Sequence, residues 1–214
     1  MKRSFYGVLI VFGIFTCISL AAPQPAVIQG PDQWTLNIKF TNPQQMVLQE
    51  ASDNKLVRFW YMIITLTNNT GRDVDYYPKY DLVTDTFQIT PAGKGVGSIV
   101  FDRIKERHKD VYPFLECFGK TDNKILQGED NTKDIAVIWQ DFDHNAKNVS
   151  IFITGLSNET VEVDYPAIKT EDSENEPNKV YLMKTLEIKY DVIGDPSSAT
   201  GATLGYNSKS WVMR

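Results

Sequence analysis

The sequence predicts a mostly β chain, folded as an antiparallel, immunoglobulin-like β-sandwich with one short peripheral helix. Three observations carry that reading. Apolar residues recur with a period of two, eight to ten such runs are separated by Gly, Asn, Asp and Pro turns, and one stretch alone shows helical spacing. The 214 residues are 42% apolar, 12% aromatic and 23% charged, an ordinary globular composition. With 22 Lys and Arg against 27 Asp and Glu the net charge is -5, which argues against a basic face for phosphate and hence against nucleic-acid binding.

The first 21 residues read as a secretory signal peptide. Lys2 and Arg3 supply the positive start, Val8 to Leu20 an apolar run, and Ser19-Leu20-Ala21 a small-x-small cleavage site before Ala22. The run is shorter than the roughly 20 residues that cross a bilayer, so no transmembrane span is expected after cleavage. Cys17 follows Phe15-Thr16, which is not the small residue a lipid-attachment site wants. The expected destination is export: periplasm, cell surface or secretion. Removal of residues 1–21 leaves 20 basic and 27 acidic side chains and one cysteine, Cys117. A single thiol cannot staple the chain to itself, so stability must come from buried apolar area.

Residues 22–33 form a Pro-rich linker, and residues 34–193 the predicted sandwich. Trp34, Leu36, Ile38 and Phe40 alternate with polar residues, as in a half-buried strand. Met46 to Leu48 is a short second one. Leu56 to Thr67 (LVRFWYMIITLT) is apolar on both faces, which marks a central strand covered on two sides. Asn68-Asn69-Thr70-Gly71 is a turn. Further strands are expected at Thr86 to Ile89, Asn123 to Leu126, Asp134 to Trp139, Val149 to Thr154, Thr160 to Val163 and Val180 to Val192. From Ser98, a candidate N-cap, Val100 or Phe101, Ile104, His108 and Val111 recur at helical spacing until Pro113. This predicts a short amphipathic helix over a sandwich edge. The acidic Lys169 to Lys179 and the Gly/Ser/Thr-rich Gly194 to Ser208 read as loops, so residues 194–214 are expected to be loop and tail.

The order of LTNNTG after a long aromatic strand, a short helix, Gly128-Glu129, IAVIWQDFD, VSIFITGLSN, KTLEIKYDVIGD and a terminal Trp-x-x-Arg resembles uncharacterised exported proteins of planctomycete-type bacteria. More distantly it is similar to immunoglobulin-like envelope modules. The resemblance implies an envelope β-sandwich and supplies no catalytic residue.

Motifs for chemistry are sparse. The two histidines, His108 and His144, make no zincin pattern, and no C-x-x-C occurs. Cys117, His108 and His144 could nominally supply a copper site, but no His follows Cys117 within one loop. G-x-S-x-G is absent, and the spaced glycines Gly93, Gly95 and Gly97 lack the parallel strand of a dinucleotide site. Cys117 reads as a small hydrophobe. No catalytic residue and no cofactor are therefore expected.

Two surface features remain as candidates. Asp141-Phe142-Asp143-His144-Asn145 matches the opening of a calcium loop through Asp141, Asp143 and Asn145, but Ala146 and Phe152 stand where Gly and Glu belong. A polar turn is the plainer reading. Tyr76, Tyr77 and Tyr80 surround Pro78-Lys79 in a loop-like stretch and are candidates for an exposed platform contacting a glycan or an envelope protein. Asn68, Asn148 and Asn158 head N-x-S/T triplets, which have meaning only in a eukaryotic secretory pathway. The expected function is a non-enzymatic binding, assembly or structural module of the cell envelope. The alternative is a carbohydrate-binding or carbohydrate-active envelope protein.

Overall fold

The computed structural model describes residues 32–49, 55–165, 178–198 and 200–214. The expected signal peptide, nearly all of the linker and most of the acidic loop lie outside the described residues. Within them the chain is a β-sandwich with a helix laid on one outer face.

Strands β1 (Asn37–Phe40) and β2 (Gln44–Gln49) share one edge of β3 (Leu56–Asn68). The chain then forms β4 (Val74–Asp75), β5 (Lys79–Thr84), β6 (Ile89–Pro91), α1 (Ser98–His108), β7 (Glu116–Cys117) and β8 (Lys124–Ile125). It continues through β9 (Gly128–Gln140), β10 (Asn148–Thr154), β11 (Thr160–Tyr165), β12 (Asn178–Gly194) and β13 (Ala202–Met213). The first sheet runs β1-β3-β9-β7, with β2 beside β3. The second runs β11-β12-β10-β5-β6, with β13 on the other side of β12. The β7–β9 pair is parallel and the other ladders are antiparallel.

The pleat explains the layers. Successive side chains of β3 point to opposite faces, and both sets are apolar. Trp60, Met62, Ile64 and Leu66 enter the core between the sheets with Trp139, Val137, Ile151, Ile153, Leu186 and Ile188. Phe59, Tyr61 and Ile63 face the other way and are covered by Val100 and Ile104 of α1 together with Leu115. The helix thus lies over the outer face of the first sheet rather than over a sandwich edge. Gly97, not Ser98, occupies its N-cap position, and no side chain caps it. Val111, expected to extend the helical face, lies beyond its end and is exposed.

Two further expectations about elements need correction. Thr86 to Ile89 is a turn for most of its length: Phe87 has φ 66°, its N–H donates to Thr84 O, and its ring is exposed. The strand lies earlier, at β5, where Tyr80, Leu82 and Thr84 alternate inward. Residues 194–214 are not a tail, because Ala202 to Met213 is a long strand paired with β12 from Gly194↔Ala202 to Lys184↔Met213. Its Ser, Gly and Asn content weakens the intrinsic strand preference of the segment, and the ladder to β12 decides it.

Ile151 is fully buried between the sheets. Truncation of such a side chain costs its transfer free energy plus a cavity, about 2–5 kcal/mol. The Ile151→Ala variant should lower the unfolding free energy measured in urea by that amount, seen as a lower midpoint with an unchanged slope.

Candidate partner-binding site

The tyrosine loop sits at one end of the sandwich and does not form a three-ring platform. Tyr76 and Tyr80 are buried, their hydroxyls hydrogen-bonded to one another, and burial pushes both phenols well above their ordinary pKa. Tyr80 also meets the Phe118 ring edge-on at 4.9 Å, and its carbonyl accepts from Trp139 Nε1 at 3.2 Å. Tyr77 alone stays outside, 69% exposed. The cause is local: β5 begins at Lys79, so the strand's period of two already governs Tyr80.

At the opposite end, the proposed calcium loop is built into the fold. Arg58 on β3 has a side chain only 2% exposed, and its Nε donates to Asp141 Oδ1 at 3.0 Å. Its two terminal nitrogens donate to the Ser198 and Pro196 carbonyls at 2.8 and 2.6 Å. The same Asp141 oxygen accepts from Trp60 Nε1 at 2.9 Å and Phe142 N at 3.0 Å, while Oδ2 lies 3.0 Å from His144 Nε2. Asp143 bonds Asn145 through its backbone and side chain, which holds its carboxyl below the usual range. Both carboxylates are thus engaged by protein donors, as in a polar turn. Among the described residues no group of three or more His, Cys, Asp and Glu is placed to hold a metal ion.

The remaining chemistry-bearing residues are dispersed. His108 ends α1 with Nε2 2.9 Å from the Tyr61 hydroxyl, which donates to Gln44 Oε1 and accepts from Arg107. Burial and then the Arg107 charge lower its pKa. Cys117 is half-buried in a cavity of about 330 Å³ with Val96, Phe101 and Phe118. Its thiol donates to the Phe118 carbonyl, and burial raises its pKa. Asn68 is fully buried, its Nδ2 spent on the Arg72 and Ile125 carbonyls, so it offers no surface amide.

The feature that sequence reasoning missed is a two-stranded ribbon formed by β11 and the first six residues of β12. Pairs Val161↔Leu182 and Val163↔Val180 lie directly opposite one another and so share one face. Val161, Val163 and Val180 are each 42% exposed. The other face carries Glu162↔Tyr181 and Asp164↔Lys179, with Tyr181 63% exposed and Lys179 Nζ 2.5 Å from Glu162. Both strands were expected; their register shows that the valines share one face, and their exposure shows that no described element covers it. The chain segment before β1 crosses the ribbon's base: Leu36 N donates to Leu156 O at 2.7 Å and Asn158 N to Trp34 O at 3.3 Å. Tyr77 borders the same end, since its carbonyl lies 2.9 Å from where a Cβ on Gly155 would sit.

No family model, curated protein or solved structure matches this chain. No helix of the described residues is long and apolar enough to cross a membrane.

Two outcomes follow from the polar clusters. Replacing Asp141 by Asn strands the buried Arg58 guanidinium without its countercharge, a change that costs about 3–5 kcal/mol, and urea unfolding should show it. His108 has a folded-state pKa below the ordinary 6.5, so unfolding takes up a proton once the pH drops through that value. Stability present above pH 6.5 should decline on acidification toward the lowered folded value. The variant His108→Gln should remove that part of the pH dependence.

Proposed function

We propose that this protein is an exported, non-enzymatic binding or assembly module of the cell envelope that engages a partner protein through the β11–β12 ribbon. The observation that carries the reading is the apolar face of Val161, Val163, Val180 and Leu182 on a ribbon that no described element covers. An isolated pair of strands is marginal in water. A contiguous exposed apolar face of this kind marks an interaction site. Export is inferred from the N-terminal sequence, and the envelope setting from the resemblance stated above.

A non-enzymatic role is supported by how the polar residues are spent. Asp141, the carboxylate nearest to His144, is tied to Arg58, Trp60 and a backbone amide, which suits a structural clamp. Glycan stacking has less support. Tyr77 lacks the two neighbours expected beside it, and the Trp211 ring already carries the Lys184 ammonium at 5.4 Å.

The triple variant Val161→Ser/Val163→Ser/Val180→Ser removes the apolar face and leaves the strand hydrogen bonds. Affinity capture from an envelope fraction should lose the proteins retained by the wild type, with the melting temperature changed by less than about 3 °C. Capture that persists unchanged would place the binding surface elsewhere.

A further inference from the structure

A concavity on the outer face of the first sheet is lined throughout by described residues, none of them from the ribbon. Its floor is Ala136 and Ile138 of β9, both buried. One wall is the turn from Gly93 to Val96, whose Gly93 N–H donates to Ile138 O at 2.8 Å. Another is the turn from Cys117 to Lys120, whose Phe118 N–H donates to Ala136 O at 3.1 Å. The start of α1, through Phe101, completes the lining.

Both turns thus hang on β9 by backbone bonds, and each is closed internally. Val96 N donates to Gly93 O at 3.3 Å and Lys120 N to Cys117 O at 3.0 Å. Gly93, Gly97 and Gly119 stand where side chains would otherwise fill the gap. At Gly119 the φ is 88°, and a Cβ there would meet nothing within 4 Å. The fold therefore holds open a half-enclosed cavity of about 330 Å³, within the size range of sites for small molecules.

The interior is apolar and the rim is charged. Val96, Phe101, Phe118 and Ile138 supply carbon surface, and Cys117 keeps its proton because burial raises the pKa of the thiol. Lys120 and Asp102 are exposed at the rim, and among the described residues neither side chain has an ion pair. They act on the Cys117 thiol in opposite senses, Lys120 the more strongly, so positive charge dominates at the cavity. The first turn of α1 adds to it, having no capping side chain and no acidic residue. Asp102 on the same rim opposes a second negative charge on a ligand.

We propose that this cavity binds a small organic monocarboxylate, with its apolar body against Phe101, Phe118 and Ile138 and its carboxylate beside Lys120. The apolar body gains by leaving water, and the exposed ammonium fixes which end stays outside. The site is separate from the ribbon, and neither needs the other to be occupied.

The test titrates the full-length chain at neutral pH with hydrocinnamate, and in parallel with hydrocinnamyl alcohol, amine and phosphate, read by calorimetry. The carboxylate should bind about fivefold more tightly than each of the others, the scale of one exposed ion pair. Lys120→Glu should remove that advantage and leave the melting temperature unchanged, because the side chain is exposed and unpaired. Position is read separately: saturating hydrocinnamate should protect the Cys117 thiol from iodoacetamide, followed by mass mapping of the Cys117 peptide. Absence of carboxylate binding, binding indifferent to Lys120→Glu, or undiminished labelling of Cys117 overturns the proposal. Equal or tighter binding of the alcohol, the amine or the phosphate overturns the assignment of a monocarboxylate.

Discussion

Burial of β3 on both faces is the constraint from which the rest of the architecture follows. An alternating strand can leave one face in water, but Phe59 to Leu66 has no polar side to offer. Each large side chain in it gains about 1.5–3 kcal/mol on full burial, so leaving either face open would forfeit much of the marginal stability of a domain this size. One face therefore recruits the second sheet and the other recruits α1. The helix needs no side-chain cap, because Val100 and Ile104 are held by packing against Tyr61 and Ile63.

The same strand organises the polar interior at one end. Arg58 enters the protein from β3 and fastens the β9–β10 connection through Asp141 and the β12–β13 connection through two carbonyls. The arrangement bridges both sheets with a single side chain. A guanidinium suits this task, since its planar set of donors can serve a carboxylate and two carbonyls at once. At the opposite end the Lys184–Glu159 ion pair fastens the base of the ribbon, and beyond it β11 and the start of β12 run on as a pair that no described element covers. One end is thus tied down, while the ribbon at the other keeps an exposed apolar face.

Much of this was legible in the sequence, and what was not has identifiable physical causes. The length and two-sided hydrophobicity of Leu56 to Thr67 were enough to place the central strand, and Val100 with Ile104 to place the helix. Asp141, Asp143 and Asn145 were visible as a polar turn, but the buried arginine that claims Asp141 lies 83 residues away in sequence, and no local pattern announces it. Tyr76 and Tyr80 were misjudged because Pro78 and Asp81 obscured a strand whose inward period includes Tyr80. The β13 strand was missed because its Gly, Asn and Ser residues interrupt the apolar alternation, and the ladder to β12 holds it as a strand regardless. The exposed valines illustrate the general limit: alternation reports which residues share a face, while coverage of that face depends on strand order.

The account is tested most directly by residue-resolved amide hydrogen exchange of the free, full-length chain, read along β11. The expected result is a period of two, with slow exchange at Val161 and Val163, which donate to β12, and fast exchange at Thr160, Glu162 and Asp164, which face outward. Uniformly slow exchange from Thr160 to Asp164 would show that the edge is already paired and would contradict the assignment of this ribbon as an open binding site.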